Sequence, residues 1–108
     1  MNLDGKRIII SRTDSIGDVM LTLPMCAWLK SKYPTVKIIF LGKGYTRPIV
    51  ESYSFVDQYE DWNDYESLSV LEKSEKLRNL QADAIIHVFP NKDIAKIAKK
   101  AKISVRVG

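Results

Sequence analysis

Seven consecutive residues, Arg12-Thr13-Asp14-Ser15-Ile16-Gly17-Asp18, hold two carboxylates, two hydroxyls, a guanidinium and a glycine. A β-branched run precedes them, and Val19, Leu23, Cys26 and Ala27 follow at helical spacing. Asp18 therefore stands near a helix N-terminus, where the helix dipole favours the ionised carboxylate. An ionised carboxylate facing a cleft can take a proton from an attacking hydroxyl. The same spacing, Ser15-x-x-Asp18, has the shape of a capping box with Ser15 as N-cap. Both readings stand on the residues alone, and Asp14 could likewise be a turn residue or a second cap. The stretch lacks the spaced glycines of a dinucleotide fingerprint and the Gly-Lys-Ser/Thr ending of a phosphate loop. Two acids would repel a bare phosphate, so the loop suits a neutral hydroxyl better than an anion.

The elements around this loop must present it. Arg7–Ser11 reads as a strand buried on both faces, as in parallel sheets. The helix after the loop should end near Tyr33, because Pro34 disfavours its continuation. Pro24 inside it should kink or break it. A second strand spans 36–41, and Gly42 and Gly44 mark a turn. A short helix from about 47 to 53 carries Pro48 in its first turn. Residues 56–59 read as a strand, 60–66 as an acidic loop and 68–81 as a helix. A strand at 84–89 is stopped by Pro90 and Asn91. Ile94, Ile97, Ala98 and Ala101 then form one helical face, and a strand at 103–107 follows. The alternation predicts an α/β fold: a Rossmann-like, doubly wound parallel sheet of about five strands, one domain over 1–108. Ligands of such sheets bind beyond the strands' carboxyl ends, at the point where strand order reverses.

Composition narrows the function classes. The 108 residues are 45% hydrophobic and 28% charged, as in soluble globular domains. One cysteine, Cys26, excludes an internal disulfide and fits a reducing compartment. No apolar run approaches a membrane span, and the polar start reads against a signal peptide, so a cytoplasmic protein is expected. The net charge is +4, with an acidic stretch over 57–75 and a basic one over 92–108. The basic stretch reads as a solvated helix face, with phosphates or an anionic membrane surface as the other reading. No basic patch interleaves with aromatics, so no nucleic-acid partner is expected. A lone His87 and a lone Cys26 cannot build a usual metal site, so no metal is expected.

Beyond the first loop, the run from Ile10 to Pro24, with Ser15-Ile16-Gly17-Asp18-Val19 and Thr22-Leu23-Pro24, resembles the opening of the ADP-heptose:lipopolysaccharide heptosyltransferases, glycosyltransferase family 9. Ala27-Trp28-Leu29-Lys30, Tyr33-Pro34, the segment Ala82 to His87 and the closing Val105-Arg106-Val107-Gly108 are similar too. The resemblance spans almost the whole chain. It implies the N-terminal domain of a GT-B fold and inverting transfer of heptose from ADP-heptose to the lipopolysaccharide inner core. It makes Asp18 the general base and places Thr13, Asp14, Ser15 and Gly17 on the acceptor side. The chain would be the N-terminal fragment of a two-domain enzyme and would lack its partner, the donor-binding C-terminal domain, so ADP-heptose would bind in the full-length enzyme while this chain alone would bind no cofactor and transfer no sugar. Peripheral contact with the inner face of the inner membrane is also implied.

The chain departs from the family pattern twice. Asp14-Ser15 stands where members often have two serines, and Phe89-Pro90-Asn91 where many have Gln-Gly. The extra acid could alter acceptor choice. Lys43 and Arg47 follow the second strand and could meet acceptor phosphates or carboxylates, or be plain surface charges. Met20, Met25, Cys26 and Trp28 read as packing residues. Tyr59, Trp62 and Tyr65 read as exposed and able to stack on a sugar or a neighbouring domain, and His87 as hydrogen-bonded within the sheet. A stand-alone binding module of the same fold, without catalysis, is the competing reading. A phospho-acceptor receiver is weaker, since only its first acidic pair has a counterpart.

Overall fold

The computed structural model describes residues 2–108. Five parallel strands form one sheet in the order β3-β2-β1-β4-β5. They are β1 (Arg7–Ser11), β2 (Lys37–Gly42), β3 (Gln58–Asp61), β4 (Ala84–His87) and β5 (Val105–Val107). Four α-helices connect them: α1 (Ile16–Lys32), α2 (Arg47–Glu51), α3 (Val70–Arg78) and α4 (Lys92–Lys100). The strand order reverses between β1 and β4, so the edge beyond Ser11 and His87 is the expected ligand edge.

The β-branched runs explain why β1 and β2 lie in the centre. Along β1, Ile8 and Ile10 face the layer that holds Val19, Leu23, Cys26 and Val50 of α1 and α2. Ile9 faces the opposite layer, with Leu77, Ile94, Ile97 and Ala98 of α3 and α4. All three isoleucines are fully buried. Burying each stabilises the fold by ~1.5–3 kcal/mol relative to leaving it exposed. Cys26 sits within the first layer, where burial pushes its thiol pKa up to about 11.

Several boundaries differ from the sequence reading for identifiable reasons. Helix α1 passes through Pro24 unbroken. Pro24 and Met20 both lie on its exposed side, where water can serve the carbonyl that proline cannot pair. β3 covers 58–61 rather than 56–59, taking in two acids first read as loop. It is an edge strand, so only alternate residues such as Tyr59 must be buried, and charges suit an edge. A 3-10 turn, Trp62–Asp64, follows. β4 stops at His87 because the amides of Val88 and Phe89 both turn to the Ser11 carbonyl. Ile103 packs with α3 and α4 and bonds to Ala98, so β5 begins only at Val105. Helix α3 starts at Val70 behind a complete capping box formed by Ser69 and Glu72, and ends at Arg78. The predicted 47–53 helix is shorter, with a 3-10 turn (Gly44–Thr46) taking the place of a simple glycine turn.

Candidate functional site

The β1–α1 loop is an ion cluster centred on Arg12. Arg12 Nη2 donates to Asp14 Oδ2 at 3.1 Å, and Nε lies 3.0 Å from Asp14 Oδ1 as an ion-pair contact without hydrogen-bond alignment. Nη2 also lies 3.4 Å from Asp18 Oδ1. The guanidinium thus bridges two carboxylates. The Asp14 and Arg12 side chains are mostly buried, whereas that of Asp18 is 45% exposed. Arg12 therefore meets Asp14 inside the protein and holds Asp18 at the surface.

Ser15 caps α1. Its hydroxyl accepts from the Asp18 amide at 3.4 Å and donates to Asp18 Oδ2 at 2.7 Å. The capping reading is thus realised in a modified form. The shorter aspartate directs its carboxylate to the hydroxyl, whereas Glu72 in α3 reaches back to its cap's backbone amide. The Ser15 hydroxyl holds the Asp18 pKa below the usual range against a burial effect, with help from Asp14 and Arg12. Asp18 is thus ionised at neutral pH, half-exposed and fixed in orientation. Its free surface can accept a proton from a hydroxyl group.

The other residues read from the sequence take different places. Gly17 lies in the first turn of α1, and a Cβ there would meet nothing within 4 Å, so the approach to Asp18 is open. Thr13 is buried and offers a ligand little surface. Asp14 has its charge matched by Arg12, which removes it as a free second acid. Lys43 enters through its backbone: its carbonyl accepts from Thr46 Oγ1 at 2.7 Å and from the Tyr59 hydroxyl at 2.6 Å. Gly44 follows because the chain runs against β3, where a Cβ would come 2.6 Å from Asp61 Oδ2. The Arg47 guanidinium lies 5.0 Å from the Tyr59 ring centre and 3.5 Å from Glu51 Oε2.

Two participants were not legible beforehand. Arg12 reads in the sequence only as a guanidinium in the loop, and its bridging needs the turn that brings residues 12 and 18 together. Tyr45 donates to the Asp14 carbonyl at 2.9 Å and ties the 3-10 turn after β2 to the β1–α1 loop. Nothing in its sequence position announces that bond.

The aromatic assignments reverse. Trp62, Tyr65 and Tyr59, expected at the surface, are buried. Trp62 stacks on Tyr65 with ring centres 5.2 Å apart, and Tyr65 donates to Glu60 Oε2 at 2.6 Å. Trp28 and Met20, expected to pack, are exposed, because α1 turns Val19, Leu23, Cys26 and Leu29 to the sheet instead. Lys32 Nζ lies 5.2 Å above the Trp28 ring. His87 Nδ1 is buried without a hydrogen-bond partner among the described residues, so the expected bond within the sheet is not made. Among the described residues, no cluster of His, Cys, Asp and Glu could hold a metal ion.

No family model matches the chain. A Haemophilus influenzae protein named "Putative glycosyltransferase" is 29% identical over 108 residues, covering 94% of this chain and 30% of that protein. A glycosyl transferase family 9 structure from Veillonella parvula superposes with a TM-score of 0.81 at 24% identity, covering 98% of this chain and 32% of the other. The ADP-heptose lps heptosyltransferase II of E. coli gives a TM-score of 0.76 at 20% identity, over 94% of this chain and 29% of the other. The chain thus spans about a third of the length of the proteins it resembles. The chain is thus similar to a protein named as a glycosyltransferase, in line with the resemblance read from the first loop. The structural matches establish the Rossmann-like fold.

Proposed function

We propose that this chain is the acceptor-side, N-terminal part of an inverting glycosyltransferase, with Asp18 as general base. The observation that carries this reading is the ionised, half-exposed Asp18 carboxylate, held by Ser15 and Arg12 at the ligand edge of the sheet. The similar proteins named as glycosyltransferases support it. Heptose from ADP-heptose is the donor this reading favours, and a lipopolysaccharide core sugar the acceptor. The separate donor-binding domain would present the nucleotide sugar across the cleft.

This reading implies the following chemistry. The acceptor hydroxyl oxygen attacks the anomeric carbon from the face opposite the nucleotide. The bond from that carbon to the diphosphate oxygen breaks, and ADP leaves with the electron pair. The hydroxyl proton passes to Asp18. A carboxylate with a lowered pKa is a weak base, so this proton moves late, once attack has made the hydroxyl acidic. Gly17 leaves room for the acceptor, and Ser15 keeps the carboxylate aimed outward. Lys43 and Arg47 flank the neighbouring loop, where they would meet acidic groups of the acceptor.

Among the described residues, no helix is long and apolar enough to cross a membrane. Ile16, Met20, Leu21, Pro24 and Trp28 nevertheless form an exposed apolar row along α1. We read this row as the surface for peripheral membrane contact, on the cytoplasmic side.

The deciding experiment measures transfer from ADP-heptose to an inner-core acceptor by the complete protein with Asp18 or Asp18→Asn. Loss of about a hundredfold to ten-thousandfold with the fold kept is expected. Undiminished turnover would remove Asp18 from the mechanism. Glycan binding with no transfer by the unaltered protein would favour the stand-alone binding module.

A further inference from the structure

A second feature of the ligand edge lies on the other side of the strand-order reversal from Lys43. A cavity of about 390 Å³ opens between the ends of β4 and β5 and the flank of α4. Lys92, Lys99 and Arg106 line it with His87 and Asn91. No Asp or Glu among the described residues lines it. Lys92, Ala95 and Lys99 share one side of α4, while Ile94, Ile97 and Ala98 face the core. The lysines are therefore brought to the cavity by the same amphipathic pattern that seats the helix. Gly108 packs against His87, where a Cβ would come 3.1 Å from the His87 Cβ.

His87 brings an unsatisfied polar atom to the cavity lining, and a second lies on the neighbouring strand. His87 Nδ1 is buried without a partner among the described residues. Its register partner on β1, Ser11, is fully buried, and the Ser11 hydroxyl also has none. Register partners in a parallel pair point to the same sheet face, here the face covered by α3 and α4. Buried polar groups are ordinarily hydrogen-bonded, so two adjacent orphans mark a place for a polar guest. Arg106 gives one donor to the Ile103 carbonyl at 2.7 Å, and a guanidinium has others to offer.

We propose that this cavity binds an oxyanion, the phosphate or carboxylate group of a small ligand. Lys92, Lys99 and Arg106 supply the charge, and His87 stands beside them in the lining with its unsatisfied Nδ1. The site does not depend on sugar transfer at Asp18.

The test is an NMR titration of the isotope-labelled chain with sodium phosphate at constant ionic strength. Saturable shifts confined to His87, Asn91, Lys92 and Arg106 are expected. Lys99→Gln and Arg106→Gln should each weaken binding by about tenfold, the scale of one lost charged hydrogen bond. Lys37→Gln, at the opposite end of the sheet, should change nothing. The variants' own spectra report whether each is folded, and the exposed Lys99 keeps the test informative if Arg106→Gln is not. Glucose phosphate and glucuronate then separate the two sources, and preference for either supports the site. Linear shifts, equal shifts with sodium chloride, or unaltered binding by the folded Lys99 variant would overturn it.

Discussion

The Ser15 hydroxyl accepts from the Asp18 amide and donates to the Asp18 carboxylate, so one atom both starts α1 and orients the proposed base. Helix capping and the proposed acid–base role are thus coupled at one side chain. Loss of Ser15 should therefore be felt in stability and in ionisation together.

Ser15→Ala should lower stability by about 1 kcal/mol through loss of the cap. It should also raise the Asp18 pKa, because the hydroxyl is the largest influence lowering it. Transfer requires the ionised carboxylate, so the acidic limb of the pH–rate profile should move to higher pH. A stability change with no movement of that limb would separate the cap from the base.

Arg12→Gln should destabilise the fold by ~1–3 kcal/mol, the range for a buried group that loses a charged partner. The mostly buried Asp14 carboxylate would be left without its cation. Asp14→Asn in the Arg12→Gln background should recover part of the loss. Urea unfolding of the two variants and their combination measures the coupling, and strictly additive losses would show that the two side chains act independently.

Lys30 and Asp57 pair at 2.6 Å, and Asp57 also accepts from the Ile38 amide, joining α1 to the start of β3. Burial pushes the Asp57 pKa up, but Lys30 and the amide outweigh it, and the net shift is down. A lowered folded-state value gives stability that is complete above the unfolded value of about 3.9 and fades as pH falls through the folded value. Asp57→Asn should lose stability at neutral pH and approach the parent protein in acid. Parallel curves from neutral to strongly acidic pH would remove the pair from the pH dependence.

Of the two tryptophans, Trp28 is 56% exposed and Trp62 is 4% exposed. Trp28→Ala should leave stability within about 0.5 kcal/mol, as for other surface changes. It should abolish most of the iodide-quenchable fluorescence. Sedimentation with anionic lipid vesicles tests the α1 row, and Trp28→Ala with Leu21→Ser should reduce the bound fraction. Equal sedimentation of parent and variant would assign the row no membrane role.

Much of the fold was legible because its signals are local. Ile8-Ile9-Ile10 and Ile38-Ile39-Phe40 read as central strands because a strand covered on both faces needs apolar residues at every position. Ser15 and Asp18 read as a helix start because a cap acts within one turn. The Ile94, Ile97, Ala98 and Ala101 face read correctly because an amphipathic helix repeats its own pattern. Edge strands were harder to place. β3 needs only one buried face, so its acids looked like loop.

What the residues alone determined was therefore the element order, the parallel sheet, the loop that carries Asp18 and the family it resembles. Only the tertiary structure decided that Trp62 and Tyr65 are interior while Trp28 is not, since burial depends on which neighbours cover a side chain. It also decided that Arg12 neutralises Asp14 and reaches Asp18, and that Tyr45 locks the adjoining turn. The cationic cavity beside His87 was equally out of reach. Its charges come from α4 and β5 and its histidine from β4, segments that meet only when the sheet assembles.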